Sequence, residues 1–130
     1  MNTEIPLAAF ADGRTVFAGT ERAAVTRPWT AHPRFVGVRM KTLVGAAETA
    51  GAFSCHLVQV DPGHTLDSHA HETQDELHEV LGGAGVLTLD GRSADYQAGT
   101  LGVIPKRLPH AVRAGDDGLV LIATFVPGLG

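Results

Sequence analysis

From Arg34 onward, apolar residues fall in short runs closed by Gly, Pro or Asp, and several runs alternate apolar with polar positions. That texture is the signature of β-strands rather than helices. Strands are expected over 35–44, 53–60, 76–81, 85–89, 100–104, 111–113 and 119–125. Asp90-Gly91 separates GVLTL from RSADY, the signal for a two-residue type I′ hairpin. Asp61-Pro62-Gly63 and Asp116-Asp117-Gly118 read as two further turns. The stretch AAETAGA at 46–52 tempts a helix assignment but is too short to matter. Ahead of all this, Pro6, Gly13, Gly19, Pro28 and Pro33 interrupt a loosely patterned segment. It reads as an N-terminal arm (1–33) with one or two short strands, packing on the barrel or on a dimer partner. Residues 34–130 then form the main body. Many short strands at close spacing imply an all-β barrel or sandwich.

Composition narrows the class. With 130 residues there is room for one domain, and 44% hydrophobic against 18% charged residues is a folded profile. A net charge of −4 without any Lys/Arg cluster excludes a nucleic-acid partner. The lone Cys55 rules out an intrachain disulfide and suits a reducing compartment. The amino terminus lacks the basic and apolar regions of a signal peptide, and the apolar run 119–126 is far too short for a bilayer. A cytoplasmic protein with no membrane partner is the expectation.

The chemistry concentrates in HAHETQDELHEVLGG at 69–83. Side chains at i and i+2 of a strand share a face, so His69 and His71 project together. Glu76 opens the next apolar run after the link ETQD, and hairpin pairing of the two runs would set its carboxylate beside both imidazoles. His110, after Pro109 at the start of a later strand, is the best fourth ligand. Three imidazoles and a carboxylate suit a divalent transition metal. His78 shares the parity of Glu76 and should face the same cavity, as an acid/base or substrate-contacting candidate. Glu79 points the other way.

Other residues have blander readings. Of the adjacent Cys55 and His56, only one faces inward; Cys55 reads as a small buried hydrophobe and His56 as a sheet-surface residue. His64 and Asp67 either orient ligands or lie on the surface. Lys106 and Arg107 sit near the rim, solvated or drawing in an anionic substrate. Trp29, His32, Pro33 and Phe35 make an apolar-rich stretch for packing, across a dimer interface or within the chain, in preference to substrate stacking.

The pattern Gly63-x5-His69-x-His71-x4-Glu76-x6-Gly83 resembles the first motif of the cupin superfamily, and Gly99-x5-Pro105-x4-His110 is similar to the second. Arg107 stands where the family usually has Gly, and Ala114 where it often has Asn. The resemblance implies a double-stranded β-helix, or jelly-roll, barrel holding one divalent metal per chain (Fe, Ni, Mn, Zn or Co). His69, His71, Glu76 and His110 would be the ligands. It further implies a homodimer and a small-molecule enzyme of dioxygenase, isomerase or lyase type. The alternative is a metal-containing ligand-sensing barrel without turnover.

Overall fold

The computed structural model describes residues 3–130. Helix α1 (Glu4–Ala11) is followed by the hairpin β1 (Arg14–Phe17) and β2 (Thr20–Ala23), then β3 (Trp29–Ala31), β4 (Val38–Val44) and β5 (Ser54–Val60). The remaining strands are β6 (Thr65–His69), β7 (Asp75–Leu89), β8 (Arg92–Gln97), β9 (Leu101–Ile104) and β10 (His110–Val126). Single 3-10 turns occupy Ala24–Thr26 and Ala46–Thr49. The barrel sheet runs β3-β4-β5-β10-β7-β8, with β6 on β10 and β9 on β7, all antiparallel.

Strands β7 and β10 form the spine, and each is longer than its sequence suggests. Runs 76–81 and 85–89 are one bent strand, as are 111–113 and 119–125. The turn expected at Asp116-Asp117-Gly118 is instead a bulge where the β7–β10 register shifts between Ala114 and Leu119. Gly83 (φ 77°) and Gly118 (φ 76°) face each other there, and a Cβ on Gly83 would lie 2.1 Å from the Gly118 carbonyl oxygen. Left-handed backbone with no side chains lets both strands bend together without ending. The Asp90-Gly91 turn has the expected form, with positive φ at both residues and Leu89 paired with Arg92.

The second half of β10 is buried on both faces, which accounts for its unbroken apolar run. Inward, Leu119, Leu121, Ala123 and Phe125 join Val58, Val60 and Val112 in the barrel core. Outward, Val120 and Ile122 pack with Leu43, Leu57 and Ala24, beneath Leu7 and Ala11 of α1. The interrupted patterning of the arm predicts no helix there, and Pro6 is among the interruptions. Pro6 falls in the first helical turn, where its missing N–H would have had no partner in any case. Lys41, 3% exposed, ties this arm to the sheet by donating to the carbonyls of Ala24 (2.8 Å) and Arg27 (2.7 Å). No helix among the described residues is long and apolar enough to cross a membrane.

Candidate metal centre

A cavity of about 230 Å³ opens inside the barrel, walled mainly by apolar side chains such as Phe35, Met40, Leu66 and Phe125. His69, His71, Glu76, His78 and His110 form its polar side. The elements that deliver them differ from the expected hairpin. Strand β6 pairs with β10, not with β7, so His69 lies directly opposite His110. His71 sits beyond the end of β6, in the link to β7. Glu76 is carried in on β7, between Phe125 of β10 and Ile104 of β9. Because β10 runs along both halves of the barrel, it brings together ligands that sequence proximity alone would have paired locally.

The donor atoms of His69, His71 and His110 all lie within 4.8 Å of one another. Glu76 Oε1 is 3.5 Å from His71 Nε2 and 3.3 Å from His110 Nε2. Two rings are oriented by the main chain: Nδ1–H of His69 donates to the Asp67 carbonyl (2.7 Å) and Nδ1–H of His110 to the Leu108 carbonyl (3.1 Å). That fixes the tautomer in which each Nε2 is an unprotonated acceptor, as a metal ligand must be. Among the described residues, Glu76 Oε1 and His110 Nε2 are the buried side-chain polar atoms without a hydrogen-bond partner. An N3O donor set with such atoms left unsatisfied fits a divalent transition ion.

Electrostatics tie these groups together. Burial alone would raise the Glu76 carboxyl, yet its contacts with His110, His71 and His78 hold it far below the usual carboxylate range. Burial pushes His110 down, but the adjacent Glu76 carboxylate and the Leu108 carbonyl outweigh it and raise the ring above its ordinary value. Burial dominates at His69, which is lowered.

The profile of the Cupin domain family matches residues 56–126, more than half of the chain and all four of these side chains. The chain belongs to the cupin family. A curated relative of this cupin, the dimethylsulfoniopropionate lyase DddW of Ruegeria pomeroyi, is 34% identical over 88 residues. The match takes in 67% of this chain but 57% of DddW, so the cupin spans little more than half the length of that relative. Among solved structures, KdgF from Halomonas sp. superposes with a TM-score of 0.69 at 23% identity, covering 79% of this chain and 90% of that one. An RmlC-like cupin from Shewanella frigidimarina gives 0.70 at 20% identity, covering 82% and 88%. At such identities these two likenesses speak for the jelly-roll fold.

Around the centre of this cupin, His78 is 2% exposed and fully engaged. Its Nε2–H donates to Glu76 Oε2 (2.7 Å), and its Nδ1 accepts the Tyr96 hydroxyl (2.9 Å). Sequence patterning does not single out Tyr96, because β8 is otherwise exposed and one buried position in six carries no periodic signal. His56 is not on the sheet surface as expected. It turns inward, 6% exposed, within hydrogen-bond distance of Thr42 Oγ1 (3.0 Å) and Ser54 Oγ (2.9 Å), and packs edge-on to Phe125. Cys55 takes the outward side, where burial pushes its thiol up and leaves it a small hydrophobe.

His64 donates Nδ1–H to its neighbour Pro62's carbonyl (3.1 Å), and Asp67 acts through its carbonyl, not its carboxylate. Lys106 and Arg107 are exposed and absent from the cavity wall. Their contribution is through backbone: Lys106 N–H donates to Asp75 Oδ1 (2.9 Å) and Arg107 N–H to the His71 carbonyl (2.6 Å), which anchors the His71 link. Arg107 has φ 70°, explaining why Gly is common at the matching position and what its replacement costs. The charge at the cavity mouth comes instead from Arg34, beside His32, in a segment whose sequence suggests packing ahead of substrate contact.

Proposed function

We propose that this cupin is a metal-dependent lyase acting on a small molecule in the barrel cavity, with one divalent transition ion held by His69, His71, Glu76 and His110. The observation that carries this reading is the buried pair Glu76 Oε1 and His110 Nε2, 3.3 Å apart and both without hydrogen-bond partners, next to two more imidazoles. Leaving such atoms unsatisfied costs about 1–3 kcal/mol each, so a ligand that satisfies them is expected. Bound there, a divalent ion supplies Lewis acidity to a substrate oxygen.

The chain's own residues do the rest. Phe35, Met40, Leu66, Val112 and Phe125 keep water from the reacting end of the cavity. His78 donates to one oxygen of Glu76 and accepts the Tyr96 hydroxyl at its other nitrogen, which holds the carboxylate with its second oxygen turned to the imidazoles. We assign His78 a positioning role on Glu76 rather than direct acid–base contact with substrate, since both ring nitrogens are engaged. The choice of lyase over dioxygenase or isomerase rests on the relationship to DddW. Association into a homodimer belongs to the same proposal: Leu101 and Val103 of β9 are 63% and 69% exposed on a strand paired only with β7. Light scattering at micromolar concentration should return twice the chain mass, and a strict monomer would remove that part.

The deciding experiment measures metal in the natively purified protein, then follows elimination from dimethylsulfoniopropionate and other β-substituted carboxylates by proton NMR. About one equivalent of a divalent transition metal and metal-dependent turnover are expected, both lost in His71→Ala. Less than about one-tenth equivalent, with none taken up on reconstitution, would sink the metal reading. A well-metallated protein inert towards every β-substituted acid would sink the lyase assignment.

A further inference from the structure

We propose that His32 and Arg34 form a carboxylate-binding subsite at the mouth of the cavity, selecting a small substrate that carries one carboxylate on a short apolar body. The subsite lies outside the residues that match the family profile. The proposal rests on the lyase reading only for the opposite end of the substrate, a β-oxygen substituent offered to the metal centre; dimethylsulfoniopropionate, whose only oxygens are those of its carboxylate, would instead reach the metal through them.

Three observations support it. The first is the charge of the wall: Glu76 is its one carboxylate, committed to the histidine cluster, and Arg34 is its one permanent cation. Arg34 has no carboxylate partner among the described residues. Its guanidinium instead lies over the Phe35 ring, 5.2 Å from the centroid. Phe35 is buried, and its ring is 5.3 Å from that of His69, so a single aromatic ring separates the guanidinium from the metal centre. With its guanidinium over an aromatic ring and no carboxylate partner among the described residues, Arg34 has N–H groups open to an anion.

The second is the state of His32. Its Nδ1 accepts the main-chain N–H groups of Arg34 (3.1 Å) and Phe35 (3.3 Å), so the ring proton must sit on Nε2. The ring stacks on Phe35 with centroids 4.6 Å apart. Burial, then the charge of Arg34, lower its basicity, which keeps it neutral near pH 7. The result is a fixed Nε2–H donor on the cavity wall, with no hydrogen-bond partner of its own among the described residues. The Arg34 guanidinium and the His32 ring both lie against the Phe35 ring, and these are the two donors we assign to the subsite.

The third is size and polarity. The cavity, about 230 Å³, is smaller than the roughly 300–1,000 Å³ typical of drug-sized ligands, and between Phe35 and the histidines its wall is apolar. A substrate of a few carbons with polar groups at its ends fits that distribution; a sugar with hydroxyls along its length does not.

The test uses butanoate and its neutral isostere butanamide, titrated calorimetrically into the purified protein, with metal content measured on the same samples. Butanoate should bind at least about tenfold more tightly than butanamide, the effect of one charge-assisted pair. Arg34→Gln should lower butanoate affinity by about tenfold while leaving butanamide nearly unchanged; His32→Ala should weaken butanoate by about tenfold and butanamide less, and His32→Gln, which keeps a donor, should recover part of the loss. Arg34 is exposed, so Arg34→Gln decides the matter if His32→Ala is poorly folded. A butanoate preference that survives Arg34→Gln, or no preference in the wild type, overturns the subsite. Protein that takes up no metal on reconstitution, yet whose carboxylate preference still depends on Arg34, would overturn the metal-dependent lyase reading and keep the subsite.

Discussion

Glu76 sits where three imidazoles converge, and its two oxygens meet different fates. Oε1 faces His71 and His110, while Oε2 accepts the His78 Nε2–H. With Oε2 engaged, Oε1 is the oxygen left for a metal, so His78 and Tyr96 act as positioning residues behind the carboxylate. Gly102 makes room for this arrangement: it pairs with His78 across the β7–β9 ladder, and a Cβ there would lie 1.9 Å from the Tyr96 hydroxyl. Tyr96→Phe should destabilise the protein by about 1–3 kcal/mol in urea unfolding, the cost of a buried imidazole nitrogen left without a donor. Gly102→Ala should cost more, because the phenol must leave its seat. A neutral Tyr96→Phe would mean the hydroxyl does not hold His78. Arg107 offers a change of opposite sign. At φ 70° with an exposed side chain, Arg107→Gly should leave stability unchanged or raise it by up to about 1 kcal/mol. Strand parity made Glu76 and His78 legible as cavity neighbours. It said nothing of Tyr96, whose role depends on how far its side chain reaches and on a glycine opposite.

At the scale of elements, what decides the site is the bending of β7 and β10. Sequence patterning locates nearly every stretch of strand but reads Gly82-Gly83 and Asp116-Asp117-Gly118 as interruptions. Both composition signals are real, yet glycine at a bulge and glycine at a reversal look alike until the partner strand is known. The same blindness explains the β6–β7 hairpin that does not form. Neighbours in sequence usually pair, and nothing local to residues 65–89 shows that β10 takes the place of that partner. Two glycines of similar φ separate backbone conformation from space. Gly91 (φ 73°) has nothing within 4 Å of where a Cβ would stand, whereas Gly83 (φ 77°) faces the Gly118 carbonyl. Gly91→Ala should therefore cost about 1 kcal/mol, for the left-handed backbone alone, and Gly83→Ala about 3 kcal/mol or more. Equal losses in denaturant titrations would show that the bend tolerates a wider gap between β7 and β10.

For the whole molecule, the barrel holds a titrating cluster inside one apolar layer and seals it from outside with another, anchored by α1 and Lys41. Such burial couples metal binding to pH in a direction the individual groups dictate. His69 is lowered by burial from 6.5, so protons compete with a metal there only in moderately acidic solution. His110 is raised above 6.5 by Glu76 despite its burial, so in the metal-free protein it begins to take up a proton at higher pH than an ordinary histidine. Glu76, held far below 4.5 by the same contacts, stays ionised throughout this range. Metal affinity should thus start to fall above pH 6.5, led by His110, and fall more steeply below it as His69 joins. Folding stability of the metal-free protein follows mixed signs. His110 contributes most below 6.5 and loses that contribution as pH rises through its raised value. The lowered His56 and His69 contribute above 6.5 and lose it as pH falls through their own values. Metal-free stability should accordingly vary little near neutrality, while the extra stability given by zinc should shrink steadily from about pH 8 to about pH 6. Melting curves with and without zinc across that interval provide the check: a zinc increment independent of pH would mean that His110 is not among the groups the metal displaces a proton from.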